Sequence, residues 1–256
     1  MIEIVLIILA AIVIGVSLGL LGSGGSILTV PALTYIVGQD EKTAIASSLA
    51  IVGLIALSGA LKYYQNKMIY WPVIVQFGLP SMLGSYVAAG FSVYLSGDQQ
   101  IILFSVIMVL AAVSMLKRKT NITHQVIDLG VSIKLIIIGG IVGCISGLVG
   151  VGGGFLIVPA LLAFTNINMA KAIATSLVII TLQSLTGFLK YYSIAEQQNF
   201  TFDWNVIAIV ALVGSISSIL GQKLSTNISQ EKLKIFFALM LLIIGVSILM
   251  TSSSNL

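Results

Sequence analysis

Apolar residues run along this chain in unbroken blocks, and polar residues collect between the blocks instead of alternating with them. Ile2 to Leu21 is nearly all apolar; Gly22-Ser23-Gly24-Gly25 interrupts it, and Ser26 to Val37 follows as a shorter piece. Thr43 to Leu61, Pro72 to Leu95 and Ile101 to Leu116 are each long, and Lys117-Arg118-Lys119 then opens a polar stretch that lasts to Asp128. The pattern starts again with Val131 to Val149 and a second interruption at Gly150-Val151-Gly152-Gly153-Gly154. The short Phe155 to Phe164 follows, then the long Lys171 to Leu189, Trp204 to Leu220 and Leu233 to Met250. A helix needs about 20 apolar residues to cross a hydrocarbon core of roughly 30 Å, so the long blocks predict transmembrane helices. The short ones predict half-helices, because a dozen helical residues reach only about 18 Å. Glu3 lies inside the first block and no Lys or Arg precedes it, so the block lacks the basic leader of a secretory signal and reads as a retained span.

The two series of blocks are copies of one another. Leu20 to Tyr64 laid on Leu148 to Tyr192, a shift of 128 without a gap, matches at 22 of 45 positions. Gly22-x-Gly24-Gly25 falls on Gly150-x-Gly152-Gly153, Val30-Pro31-Ala32-Leu33 on Val158-Pro159-Ala160-Leu161, and Leu61-Lys62-Tyr63-Tyr64 on Leu189-Lys190-Tyr191-Tyr192. Residues 1–116 therefore form a first repeat, 117–130 a polar basic connector, and 131–256 a second repeat. Repeats in a polytopic membrane protein point to transporters whose halves rock about a central site, although some channels also carry them.

Composition agrees and removes alternatives. Of 256 residues, 8% are charged and 58% hydrophobic, against roughly 25% charged in soluble domains. So few charges cannot cover a water-facing surface, whereas lipid asks for none. The net charge of +4 therefore calls for no nucleic acid. One Cys (Cys144) and one His (His124, in the connector) leave no disulfide framework, no metal cluster and no cofactor motif. No Ser/His or paired-carboxylate set lies within a span, which speaks against an enzyme.

Charge placement predicts topology, because cytoplasmic loops collect Lys and Arg. If each short segment completes a crossing, the halves are inverted and both termini are extracytoplasmic. Lys62, Lys67, Lys117, Arg118, Lys119, Lys134, Lys171, Lys223, Lys232 and Lys234 then lie inside, with only Lys42 and Lys190 outside, a split of 10 to 2. If the short segments re-enter and return, the halves are parallel and the split falls to 7 against 5. The inverted arrangement is the expectation.

The interruptions carry the candidate chemistry. Gly15, Gly19 and Gly22 recur as Gly143, Gly147 and Gly150 on one helix face, which suits close packing through small residues. The breaks Ser23-Gly24-Gly25-Ser26 and Gly152-Gly153-Gly154 each precede a new helix, so backbone N–H groups and a positive dipole end would face whatever fills the gap. An anion suits such a place; the plainer account is a tight turn needing positive φ. Ser47-Ser48 and Thr175-Ser176 could donate to a substrate or bond a carbonyl one turn back. Gln183 stands in mid-span where the first repeat has Ile55, and a buried amide needs a partner. Lys62-Tyr63 and Lys190-Tyr191 close their blocks either as interfacial anchors or as cationic gates. No acid lies deep in a span, which speaks against a carboxylate proton relay.

The doubled Gly-rich run with Val-Pro-Ala-Leu, followed by Ala44 to Leu49 and Ala172 to Leu177 and the two Lys-Tyr-Tyr ends, resembles the sulfite exporter TauE/SafE family over nearly the whole chain. The first copy departs from the plainer Gly-Gly-Gly form at Ser23 and Ser26. The resemblance implies export of sulfite or an organosulfonate across a bacterial plasma membrane. The expectation is thus an all-α polytopic integral membrane protein of two inverted repeats, each of about four long helices and one half-helix. Its partners would be the lipid bilayer and a small anionic substrate moved by alternating access, with a passive anion channel as the alternative.

Overall fold

In lipid every backbone N–H and C=O must be satisfied within the chain, and the apolar blocks meet this demand as helices. The computed structural model describes residues 2–22, 24–117, 132–150, 153–165, 167–195, 197, 201–225, 228 and 230–253, and every regular element among them is helical. In order they are α1 (Ile2–Leu21), α2 (Gly24–Pro31), α3 (Glu41–Gln65), α4 (Trp71–Val73), α5 (Leu79–Phe91) and α6 (Gly97–Lys117). The second series is α7 (Ile133–Val149), α8 (Gly154–Phe164), α9 (Met169–Ile194), α10 (Trp204–Ser225) and α11 (Gln230–Ser253). Wide-turn helix continues α2 through Ala32–Ile36 and joins α4 to α5 through Ile74–Gly78. Among the described residues six helices are long and apolar enough to cross a membrane, with shorter apolar helices at Gly25–Ile36, Ile133–Val149 and Ile235–Met250. The molecule is a multi-pass membrane protein. Most of the connector, His124 included, lies outside the described residues.

Local signals set the ends, and they do so in pairs. Asp40 caps α3 by accepting from the Thr43 N–H at 2.9 Å, and its repeat equivalent Asn168 caps α9 by accepting from the Lys171 N–H at 2.9 Å. Gly22 (φ 69°) and Gly150 (φ 71°) turn the chain out of α1 and α7, their N–H groups closing on the carbonyls of Leu18 and Ser146.

Tertiary packing is reciprocal between the repeats. The most buried long helices, α3 and α9, lie against each other at the centre. Around them α1 of the first repeat packs on α10 of the second, and α7 of the second packs on α5 of the first; α5 also lies on α9, α10 on α3, and α6 on α11. Each pairing maps onto another, or onto itself, when the repeats are exchanged. Glycine permits the closest of these approaches: Gly15 and Gly19 face the carbonyls of Gly214 and Ser218, while Gly143 and Gly147 face those of Ser81 and Ser85. A Cβ at any of the four would overlap the facing oxygen, which is the small-residue packing expected of helices with no hydrophobic drive to associate in lipid. Gly22 and Gly150 also approach a neighbouring helix closely, at Ile173 and Ile45, and in addition serve as left-handed turns.

Apolar side chains such as Leu61, Leu83, Leu110, Leu212, Ile216 and Ile243 point outward, a surface suited to hydrocarbon and to nothing aqueous. Exposed rings gather near the helix ends. Tyr64 meets Trp71 edge-on at 6.3 Å, and the equivalent Tyr192 and Trp204 join Phe188 and Phe202 in a four-ring cluster, the composition of an interfacial aromatic belt.

Candidate functional site

Each break is seated on the central helix of the opposite repeat. A Cβ on Gly22 would strike Ile173 of α9, and one on Gly150 would strike the equivalent Ile45 of α3. The Ser48 hydroxyl donates to the Gly150 carbonyl at 2.6 Å and to the Ile45 carbonyl at 2.8 Å. The Ser176 hydroxyl does the same toward Gly22 at 3.2 Å and Ile173 at 2.8 Å. A hydroxyl has one proton, so each serine shares it between the two carbonyls and clasps the break. The carbonyl one turn back, expected as one of two roles for these hydroxyls, is bonded in both. Ser47 lies fully buried with no partner for its hydroxyl, while the equivalent Thr175 accepts the Tyr70 N–H at 3.1 Å.

Beyond this shared frame the two breaks part. Gly25, buried at the start of α2, looks onto the Ile14 carbonyl and the Leu18 side chain. Its equivalent Gly153 is left-handed (φ 59°) and is the N-cap of α8, bringing no side chain to the first-turn N–H groups. A Cβ there would meet Gln183 Nε2 and the Ser146 hydroxyl. Gln183 is completely buried; its Oε1 accepts from the Ser81 hydroxyl at 2.5 Å, and its backbone carbonyl from the Ser85 hydroxyl at 3.2 Å. With the amide oxygen engaged, Nε2 is left facing the break, and neither it nor the Ser146 hydroxyl has a partner. A buried donor without an acceptor costs about 1–3 kcal/mol, so two side by side are an expensive pair to keep. Ser81 and Ser85 therefore serve twice, offering backbone to the glycines of α7 and hydroxyls to α9. In the first repeat Leu18 stands for Ser146 and Ile55 for Gln183, and Ile55 packs on Gly214 where Gln183 meets Ser81.

The other candidate residues fall around this frame. Gly24 and Gly154 open α2 and α8, and Ser26 is fully buried in α2; Ser23 and Gly152 lie outside the described residues. Tyr63 and Tyr191 are buried while Tyr64 and Tyr192 are exposed, so each tyrosine pair splits between core and periphery. The Tyr191 hydroxyl accepts from Gln100 Nε2 at 3.0 Å and lies 3.3 Å from the Gly147 carbonyl, tying α6 and α9 to α7 just ahead of its break. Lys190 reaches over the Tyr86 ring at 5.5 Å, and Lys62 is half-buried at the end of α3. Ser81 and Ser146 escaped the reading of the sequence. Ser146 could have been found by carrying the repeat comparison two residues further back, to Leu18; Ser81 lies where the gapless match has ended.

A family model described as sulfite exporter TauE/SafE matches residues 7–248. A "Probable membrane transporter protein" of Xylella fastidiosa is 31% identical over 95% of this chain and 94% of its own length. One from Methanocaldococcus jannaschii is 29% identical over 96% of this chain and 95% of its own, and one from Bacillus subtilis is 28% identical over 87% and 90%. No solved structure matches the chain significantly.

Proposed function

Because the chain belongs to the sulfite exporter TauE/SafE family, we propose that this membrane transporter moves a small sulfur-containing oxyanion, sulfite or an organosulfonate, outward across a bacterial plasma membrane. The observation that carries the reading is the chemistry gathered at the glycine breaks: neutral donors, a helix N-terminus and the unpartnered amide of Gln183. Donors without counter-charges hold an anion while letting it leave, and half-helix N-termini do this in other carriers with broken helices. The halves stand inverted in the membrane with both termini extracytoplasmic. The 10 to 2 split of Lys and Arg favours that arrangement. Rocking of one repeat against the other, across interfaces made smooth by glycine, alternates access to the breaks.

Sulfite flux in proteoliposomes tests this. Labelled sulfite uptake is expected to accelerate when the vesicles are preloaded with unlabelled sulfite; uptake without such trans-stimulation would assign the protein to channels instead. A reporter fused at Leu256 is expected to score extracytoplasmic, and a cytoplasmic score would remove the inverted topology.

A further inference from the structure

The repeats share a backbone frame but not a polar interior, and the difference falls on one break. We propose that the chain holds a single oxyanion-binding site, built by the second repeat's break alone, in which Gln183 Nε2 and the Ser146 hydroxyl donate to the anion beside the N-terminus of α8. Ser81 acts as a positioning residue. This inference deepens the transport reading above and rests on it.

Three observations converge. Gln183 and Ser146 are fully or almost fully buried, each with an unpartnered polar atom, and both of those atoms border the Gly153 Cα where a side chain would otherwise stand. Gly153 begins an 11-residue helix with no side-chain cap, so the positive end of the dipole faces the same point as the two donors. The Ser81 hydroxyl donates to Gln183 Oε1, and Nε2 stands on the side of the break. Every group aimed at this place can give a hydrogen bond, which selects a ligand that is all acceptor, such as the oxygens of sulfite.

The first repeat supplies the internal control. Leu18 fills the position of Ser146, Ile55 that of Gln183 and Gly214 that of Ser81; Gly25 accordingly meets the Leu18 side chain and the Ile14 carbonyl, and Ile55 packs on Gly214. The Gly153 seat is also tight, since a Cβ there would collide with the amide. Ligand access accordingly requires α8 to shift away from Gln183, which couples binding to movement of the break.

The test measures sulfite binding to the purified full-length protein by calorimetry, with thermal unfolding recorded on the same samples. The parent is expected to bind one sulfite per chain. Gln183→Met and Ser146→Ala each remove a buried donor that lacks a partner, and each is expected to bind sulfite at least about tenfold more weakly. Ser146→Ala should unfold at the same or a higher temperature, whereas Gln183→Met also takes the acceptor from the Ser81 hydroxyl and should unfold somewhat lower, recovered when Ser81→Ala is added. Ser81→Ala is expected to weaken binding less, and Ile55→Met, the control in the first repeat, to leave it unchanged. Loss of affinity without loss of stability, in Ser146→Ala and in Gln183→Met combined with Ser81→Ala, separates a ligand-binding role from a structural one. Parent-like affinity in both Gln183→Met and Ser146→Ala, or two sulfites per chain, would overturn the one-sided site while leaving transport standing. A parent that binds neither sulfite nor sulfoacetate would overturn the transport reading and this inference together.

Discussion

The two glycine breaks descend from one sequence and divide the work unequally. At Gly22 and Gly150 they agree: both are left-handed, both rest on an isoleucine of the opposite central helix, and both have their carbonyl clasped by a serine from that helix. Three residues on they disagree, with Gly25 against Leu18 and Gly153 against Ser146 and Gln183. What both repeats keep is the device that holds a broken helix in a membrane, where a freed carbonyl must find a donor inside the protein. What only the Gly153 break carries is the pair of unpartnered donors from Ser146 and Gln183, which fits a site and does not fit a hinge.

That comparison is open to direct attack. The largest effect should come from Gly22→Ala and Gly150→Ala, which add both left-handed strain and overlap with Ile173 or Ile45. Each is expected to cost about 3 kcal/mol, seen as a comparable fall in unfolding temperature in detergent; a large cost at one position only would break the shared frame. Next, Ile55→Gln would bring the amide of the second repeat into the first, opposite Gly214 with no hydroxyl to receive it. The expected cost is about 2 kcal/mol, recovered in part by adding Gly214→Ser in imitation of Ser81, with urea or thermal denaturation as the measure. An Ile55→Gln protein as stable as the parent would show that the two corners are equally tolerant of polarity.

Smaller effects sharpen the picture. Ser48→Ala and Ser176→Ala each remove one clasp and should each cost about 1 kcal/mol, with sulfite affinity unchanged because their protons are already committed to carbonyls. A fall in affinity would return them to the substrate site. The smallest contrast is between Ser47 and its equivalent Thr175. Ser47→Ala should change stability by no more than about 0.5 kcal/mol, since its hydroxyl has no partner, whereas Thr175→Val loses the acceptor of the Tyr70 N–H and should cost about 1 kcal/mol.

Much of this architecture is legible before any coordinates. Block length and the scarcity of charge predict membrane helices, because lipid imposes a simple requirement on composition and length. The spacing of Gly15 with Gly19, and of Gly143 with Gly147, predicts a close-packed face, and Gln183 stands out against Ile55. The partners of those faces are not legible. Gly143 meets Ser81 and Gly15 meets Gly214 across the two repeats, and nothing in either local stretch says which helix lies opposite. For the same reason Ser48 and Ser176 read as possible substrate donors until the carbonyls they serve, 102 and 154 residues away, come into view.

The sequence by itself determined that the chain is a duplicated, all-helical membrane protein with two broken helices, because spans, repeats and breaks are written in contiguous residues and depend on hydropathy and backbone freedom alone. Only the tertiary structure decided that the first helix of each repeat packs on the other repeat, and that Ser81, Ser146 and Gln183 meet at one break and have no counterpart at the other. Those are contacts between residues dozens of positions apart, fixed by how closely glycine lets two backbones approach. Whether a buried donor is satisfied or left waiting depends on that approach and not on the residue's own neighbours in the chain.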